Sequence, residues 1–209
     1  MTTYVTRHEL LEICRLVYDR ELTDAAGSNF SARASASTYY VTPHGNAKRT
    51  RLRMRSDDIL LVDDVDCVLD GEGSVSSSWS THRRIYAAFP DVNVVVHAHP
   101  KLATAVACGL EPMVPLLDAM KKYGPIPLVP RELAVDSPEF GDAVVGLLRT
   151  NEAGLRRHGH GVLYPFHGVL VAAPDLDDAF DLLERMEFNA AALLFAPQAR
   201  LDWQGSSLE

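Results

Sequence analysis

The run Val92-Asn93-Val94-Val95-Val96, closed by His97-Ala98-His99, reads as a strand that ends in two histidines. Side chains in an extended chain alternate faces, so His97 and His99 project the same way, about 7 Å apart at ~3.3 Å per residue. Two imidazoles on one face can converge on one ion. Neutral imidazole suits zinc, iron, copper and nickel, and a third ligand from elsewhere would leave a position open for chemistry. Two hydrogen-bonded histidines at the edge of a core would give the same sequence, and the pair alone leaves both readings open. His167-Gly168, which heads a later apolar run, is the natural third nitrogen, although taken singly it reads as a core histidine. His158 and His160, in His158-Gly159-His160-Gly161, compete for that role from what reads as a loop.

The elements around this strand follow from period and caps. Thr6 and Glu9 form a capping-box pattern ahead of Leu10, Leu11, Ile13, Cys14, Leu16 and Val17, whose spacing predicts a helix ending near Leu22. Residues 29–33 and 38–42 read as a hairpin, with Pro43-His44-Gly45 as the turn that ends it. Residues 57–69 read as strand, acidic turn at Asp63-Asp64, and strand. Helices are predicted over 80–89, stopped by Pro90, and over 101–108, halted by Gly109. Residues 112–130 read mostly as loop, and Ser137-Pro138 opens another helix with proline in its first turn. Residues 161–165 and 168–172 read as strands, and a last helix runs from Leu176 to about Phe195. Neither a repeat nor a linker divides the chain, so residues 1–209 read as a single domain. Helices alternating with hairpins predict an α/β three-layer sandwich with a mainly antiparallel central sheet covered by helices, because hairpins imply antiparallel pairing.

Charge and cysteine usage exclude several function classes. A net charge of -8 argues against nucleic acid and anionic membrane as partners, since both select basic surfaces. The one cationic run, Lys48, Arg49, Arg51, Arg53 and Arg55, reads as a solvated loop or strand edge. Cys14, Cys67 and Cys108 are odd in number and lack CxxC spacing, which indicates neither a disulfide framework nor a thiolate zinc site and suits a reducing cytoplasm. The amino terminus shows no signal pattern and no stretch reaches the ~18 apolar residues of a membrane span, so a cytoplasmic protein is expected.

Five short motifs in order resemble the class II aldolase/adducin family, which includes fuculose-phosphate aldolases, over nearly the whole chain. They are Gly27-Ser28-Asn29-Phe30-Ser31, Thr42-Pro43-His44-Gly45, Ser76-Ser77-Ser78-Trp79 with His82 downstream, His97-Ala98-His99-Pro100, and His167-Gly168 followed by Asp175, Phe180, Glu187 and Asn189. The resemblance implies that His97, His99 and His167 hold a divalent ion, usually zinc, with iron(II), manganese(II) and cobalt(II) as alternatives. It implies a substrate pocket of Ser28, Asn29, His44, Gly45, Ser76 and Ser77, whose hydroxyls and amides suit a phosphate. The expected activity is a metal-dependent carbon–carbon lyase of aldolase type acting on a small phosphorylated or polyhydroxylated ketose. Decarboxylation, dehydration, epimerisation and iron-dependent oxidation on the same scaffold are the alternatives, with a non-catalytic adducin-like binding protein as a second one. A homo-oligomer, a tetramer, is also implied.

One departure bears on the chemistry. Family aldolases carry glutamate where this chain has Ser78, and serine has no useful acid–base range. The catalytic candidates are therefore Ser78 itself and Tyr123, with Asp118 and Glu132 as further sources of a proton-carrying group.

Overall fold

The computed structural model describes residues 4–25, 28–45 and 53–205. Among the described residues there are seven strands: β1 (Asn29–Arg33), β2 (Thr38–Val41), β3 (Leu60–Asp63), β4 (Val68–Asp70), β5 (Val94–Ala98), β6 (His160–Tyr164) and β7 (Gly168–Ala173). They form one sheet in the order β4-β3-β2-β1-β5-β7-β6, with every neighbouring pair antiparallel. The helices are α1 (Arg7–Asp19), α2 (Trp79–Ala88), α3 (Lys101–Ala107), α4 (Pro138–Arg149), α5 (Glu152–His158) and α6 (Leu176–Gly205).

Helices on both sides of the sheet explain why β5, β6 and β7 are buried along their whole length and read as unbroken apolar runs. Strand alternation then sorts the side chains into two cores. Val94, Val96 and Ala98 pack with Leu10 and Val17 of α1, Ala103 of α3 and Leu182 and Met186 of α6. Val95 packs with Trp79, Ile85 and Tyr86 of α2 and Phe140 and Val144 of α4. Each such fully buried aliphatic or aromatic side chain contributes about 1.5–3 kcal/mol, so the two layers of helix are held by apolar burial on both faces. His97 shares the face of Val95, which puts it on the α2/α4 side.

The capping box at Thr6 forms: its Oγ1 accepts from Glu9 N and Glu9 Oε2 accepts from Thr6 N. The helix stops at Asp19, short of Leu22, because Glu21 turns left-handed (φ 56°) and Leu22 N–H returns to Val17 O. The stretch around His158 and His160 is not a loop. Asn151 Oδ1 caps α5 by accepting from Gly154 N, Gly159 ends the helix with φ 82°, and His160 opens β6. Seven residues with Leu155 as their one large buried side chain carry too little periodicity to announce a helix. Residues 118–123 add a short 3-10 turn within the expected loop. Lys48, Arg49 and Arg51 of the cationic run, and Gly27 of the first motif, lie outside the described residues.

One end of the sheet collects the chain segments that matter. Asn29 at the start of β1 pairs with His97 near the end of β5, and Ala98 pairs with Val169 at the start of β7. Helix α2 points its N-terminus to the same end, since Arg33 at the far end of β1 donates to Tyr86 O near the helix C-terminus. Helix α4 runs parallel to α2: Ser77 meets Asp136 at one end, and the Arg149 guanidinium lies over the Phe89 ring at the other.

Candidate metal centre

The imidazoles of His97, His99 and His167 meet at that end of the sheet. His97 Nε2 lies 3.1 Å from His99 Nε2 and 3.1 Å from His167 Nε2. His97 Nδ1–H donates to Val169 O at 2.9 Å and His99 Nδ1–H donates to Asp24 Oδ1 at 3.2 Å, which turns the Nε2 of each ring toward the shared point. A tetrahedral ion with nitrogen ligands at ~2.0–2.1 Å spaces those nitrogens about 3.3 Å apart, which the residues present fit.

The surroundings orient the rings and favour the neutral form of His97 and His167. Burial drives His97 well below the ordinary imidazole range, and the neighbouring His99 and His167 add to the fall. Burial and then His99 lower His167 as well, against the opposing charges of Asp136 and Asp24. The His97 ring stacks on His167 at 5.0 Å and 10° and on Tyr164 at 5.1 Å and 26°. Glycine is required beside His167: a Cβ on Gly168 would come within 2.5 Å of Ala98 O and 2.7 Å of His99 Cδ2. Only a residue without a side chain lets the β6–β7 hairpin bring His167 against the end of β5.

The expected substrate residues lie in segments at the same end of the sheet. Asn29 sits across from His97 in the sheet, and its Oδ1 is buried with no hydrogen-bond partner among the described residues. Ser28 is half-buried just before it. The exposed turn of His44 and Gly45 is tied to the segment before α2 by His44 N–H to Ser74 O and by the Pro43–Val75 bridge. Ser76 Oγ accepts from Ser78 N, Ser77 Oγ–H donates to Asp136 Oδ2, and Ser78 is the N-cap residue of α2 with no hydrogen bond from its own hydroxyl to the helix. One turn into α2, the ring of His82 lies with Nδ1 2.8 Å from Ser31 Oγ, which is also 2.9 Å from Tyr86 OH.

Other candidates lie elsewhere. Tyr123 is fully buried against His158, and its hydroxyl donates to Asp181 Oδ2 on α6, so it has no proton to offer the triad. Asp118 pairs with Lys121 at the surface, and Glu132 is exposed in the segment before α4. His158 and His160 contribute no atom to the cluster; His160 is buried with neither ring nitrogen bonded among the described residues. Three residues at the centre carried no signal that sequence reading used: Asp24, Asp136 and Tyr164. Tyr164 was within reach, since it shares the face of Val162 two residues before it.

The chain is similar in sequence and fold to known proteins. The chain is 27% identical over 196 residues to an L-fuculose phosphate aldolase of Methanocaldococcus jannaschii, covering 90% of this chain and 95% of the relative. It is 26% identical over 208 residues to a 3-oxo-tetronate 4-phosphate decarboxylase of Haemophilus influenzae, covering 96% and 91%. The structure of L-fuculose-1-phosphate aldolase from Thermus thermophilus superimposes with a TM-score of 0.73 at 26% identity, over 96% of each chain. The family model for the class II aldolase and adducin N-terminal domain matches residues 8–194, a span that holds every strand of the sheet and all three histidines. The chain therefore belongs to the class II aldolase and adducin family.

Proposed function

We propose that this enzyme is a divalent-metal-dependent carbon–carbon lyase of aldolase type acting on a small phosphorylated or polyhydroxylated ketose. The observation that carries the reading is the meeting of three imidazole nitrogens at the open end of a sheet, with those of His99 and His167 each 3.1 Å from that of His97. An ion held there, zinc by the chemistry of three imidazoles, supplies Lewis acidity toward the substrate's carbonyl and hydroxyl oxygens. The protein does the rest. Val169 O and Asp24 fix the two ring tautomers, so the Nε2 lone pairs stay directed at one point. Asn29, with its buried unpartnered Oδ1, is placed to accept from a substrate hydroxyl beside His97. Ser28 and Ser76, with the backbone of the His44-Gly45 turn, offer small donors suited to a phosphate, whereas the Ser77 hydroxyl is engaged by Asp136. The family resemblance supports a homo-oligomer, a tetramer, with sites near subunit boundaries.

A second reading, decarboxylation, is favoured by Ser78. With serine at that position, a substrate bearing its own carboxylate meets no like charge from residue 78 itself. The two reactions share the negative charge that develops on a substrate oxygen when a carbon–carbon bond breaks, and they differ in what leaves. Incubation of the zinc-loaded protein with a panel of ketose 1-phosphates and of phosphorylated 3-oxo acids separates them. Aldehyde release from the first group is the expected result, and carbon dioxide release from the second alone would replace the aldolase reading. No turnover of either, with bound zinc confirmed, would reject a lyase.

A further inference from the structure

Serine at position 78 leaves the site without the carboxylate that would move a proton, and the entrance of α4 supplies one. Asp136 immediately precedes Ser137, the N-cap of α4, and holds a left-handed backbone with φ 67°. Aspartate is one of the few side-chain-bearing residues that tolerate that conformation, and such outliers cluster at active sites. Ser77 Oγ–H donates to Asp136 Oδ2 at 2.7 Å, which fastens the carboxylate to the residue preceding Ser78 and leaves Oδ1 outside that bond. The turn that carries it is packed on the triad: Ser137 Oγ accepts from Phe140 N, the Phe140 ring meets Tyr164 edge-on at 4.6 Å, and Tyr164 stacks on His97 at 5.1 Å. The carboxylate beside His99, Asp24, is committed to its Nδ1. Of the sequence candidates, Tyr123 is committed to Asp181 and Asp118 to Lys121, and Glu132 is exposed to solvent.

We propose that Asp136 is the proton-carrying carboxylate of this active site, with Ser77 as its positioning residue. The assignment rests on the lyase reading above. In cleavage, Asp136 takes the proton of the hydroxyl whose oxygen becomes the aldehyde carbonyl. The electron pair of the broken carbon–carbon bond becomes the double bond of the enediolate, and Asp136 then returns the proton to that carbon. In the reverse sense it removes a carbon-bound proton next to the carbonyl, and the carbon–hydrogen pair becomes the same double bond. Atoms and charge balance without an oxidant or a second reactant.

The test uses the full chain loaded with cobalt(II) and dihydroxyacetone phosphate in deuterated water. It reads two signals: exchange of the hydroxymethyl proton by NMR, and the visible cobalt spectrum with and without acetohydroxamate, a planar mimic of an enediolate. Asp136→Asn is expected to slow exchange by about 100-fold or more, the usual contribution of a positioned acid or base, with an unchanged cobalt spectrum and unchanged response to acetohydroxamate. Adding Ser78→Glu to that variant is expected to restore exchange. Exchange within threefold of wild type in Asp136→Asn would overturn the proposal alone. Loss of the cobalt spectrum in Asp136→Asn would overturn it in favour of a structural role. A wild-type protein that binds cobalt and catalyses no exchange would overturn the lyase reading, and this assignment with it.

Discussion

His97 shows how one side chain meets several demands at once. Its Nδ1–H is taken by Val169 O, its ring is stacked against both His167 and Tyr164, and its Nε2 is left for an ion. Asp24 does the same orienting work for His99 from a loop that carries no motif. Removing such an outer partner costs about 10–100-fold in metal affinity, so Asp24→Ala is expected to weaken zinc by that factor in competition with a chromophoric chelator. Affinity equal to wild type would show that His99 is oriented without it. Gly168→Ala meets backbone, not a flexible side-chain end, at Ala98 O. Forcing atoms into such a contact costs about 1–3 kcal/mol, and a lower urea midpoint together with weaker zinc binding is expected. The three histidines were legible because two sat at strand spacing and the third headed an apolar run. Asp24 and Asp136 were not, because an acidic residue in a loop reads as surface until the fold shows what it faces.

Among the elements, α3 follows directly from His99, and its start is held from outside. Its N-cap residue is Pro100, which has no side-chain acceptor, and the carboxylate of Glu187 on α6 takes Leu102 N–H at 3.0 Å and Ala103 N–H at 2.8 Å. This is capping by a tertiary contact. Glu187→Ala is expected to lower stability by about 1–2 kcal/mol in urea denaturation, the usual cost of losing a cap, and to reduce zinc affinity because the His99 turn loosens. Unchanged stability would mean that water caps the helix as well. Asn189, two residues further along α6, accepts from Leu116 N and Leu117 N and donates to Val114 O, so it pins the stretch before the 118–123 turn. Both side chains stood out in sequence only through resemblance, and packing gives them a physical reason. Caps written in neighbouring residues, as in Thr6 with Glu9, were readable directly; a cap reaching 85 residues along the chain was not.

At the scale of the whole molecule, two buried histidines outside the triad set a pH dependence. Burial lowers His82 to about 3 and His160 to about 4, whereas both titrate near 6.5 when the chain is unfolded. As pH falls below 6.5 the unfolded state takes up protons first, so stability declines through the interval down to about 4, by ~1.4 kcal/mol per pH unit for each group. Above 6.5 neither contributes. Urea midpoints of the chelator-treated protein are expected to drop between pH 7 and pH 5, and His160→Leu to drop by about 2 kcal/mol less. Equal drops in the two proteins would show that His160 is solvated in the folded state. No described helix is long and apolar enough to cross a membrane, in keeping with the charge pattern. What the sequence alone determined was local and periodic: which runs are strands, where most helices start, that hairpins make the sheet antiparallel, and that His97 and His99 share a face. Only the tertiary structure decided which loops close over that face. The distance between Asp136 and Ser77, or between Asp24 and His99, depends on the packing of separate elements, and no spacing along the chain encodes it.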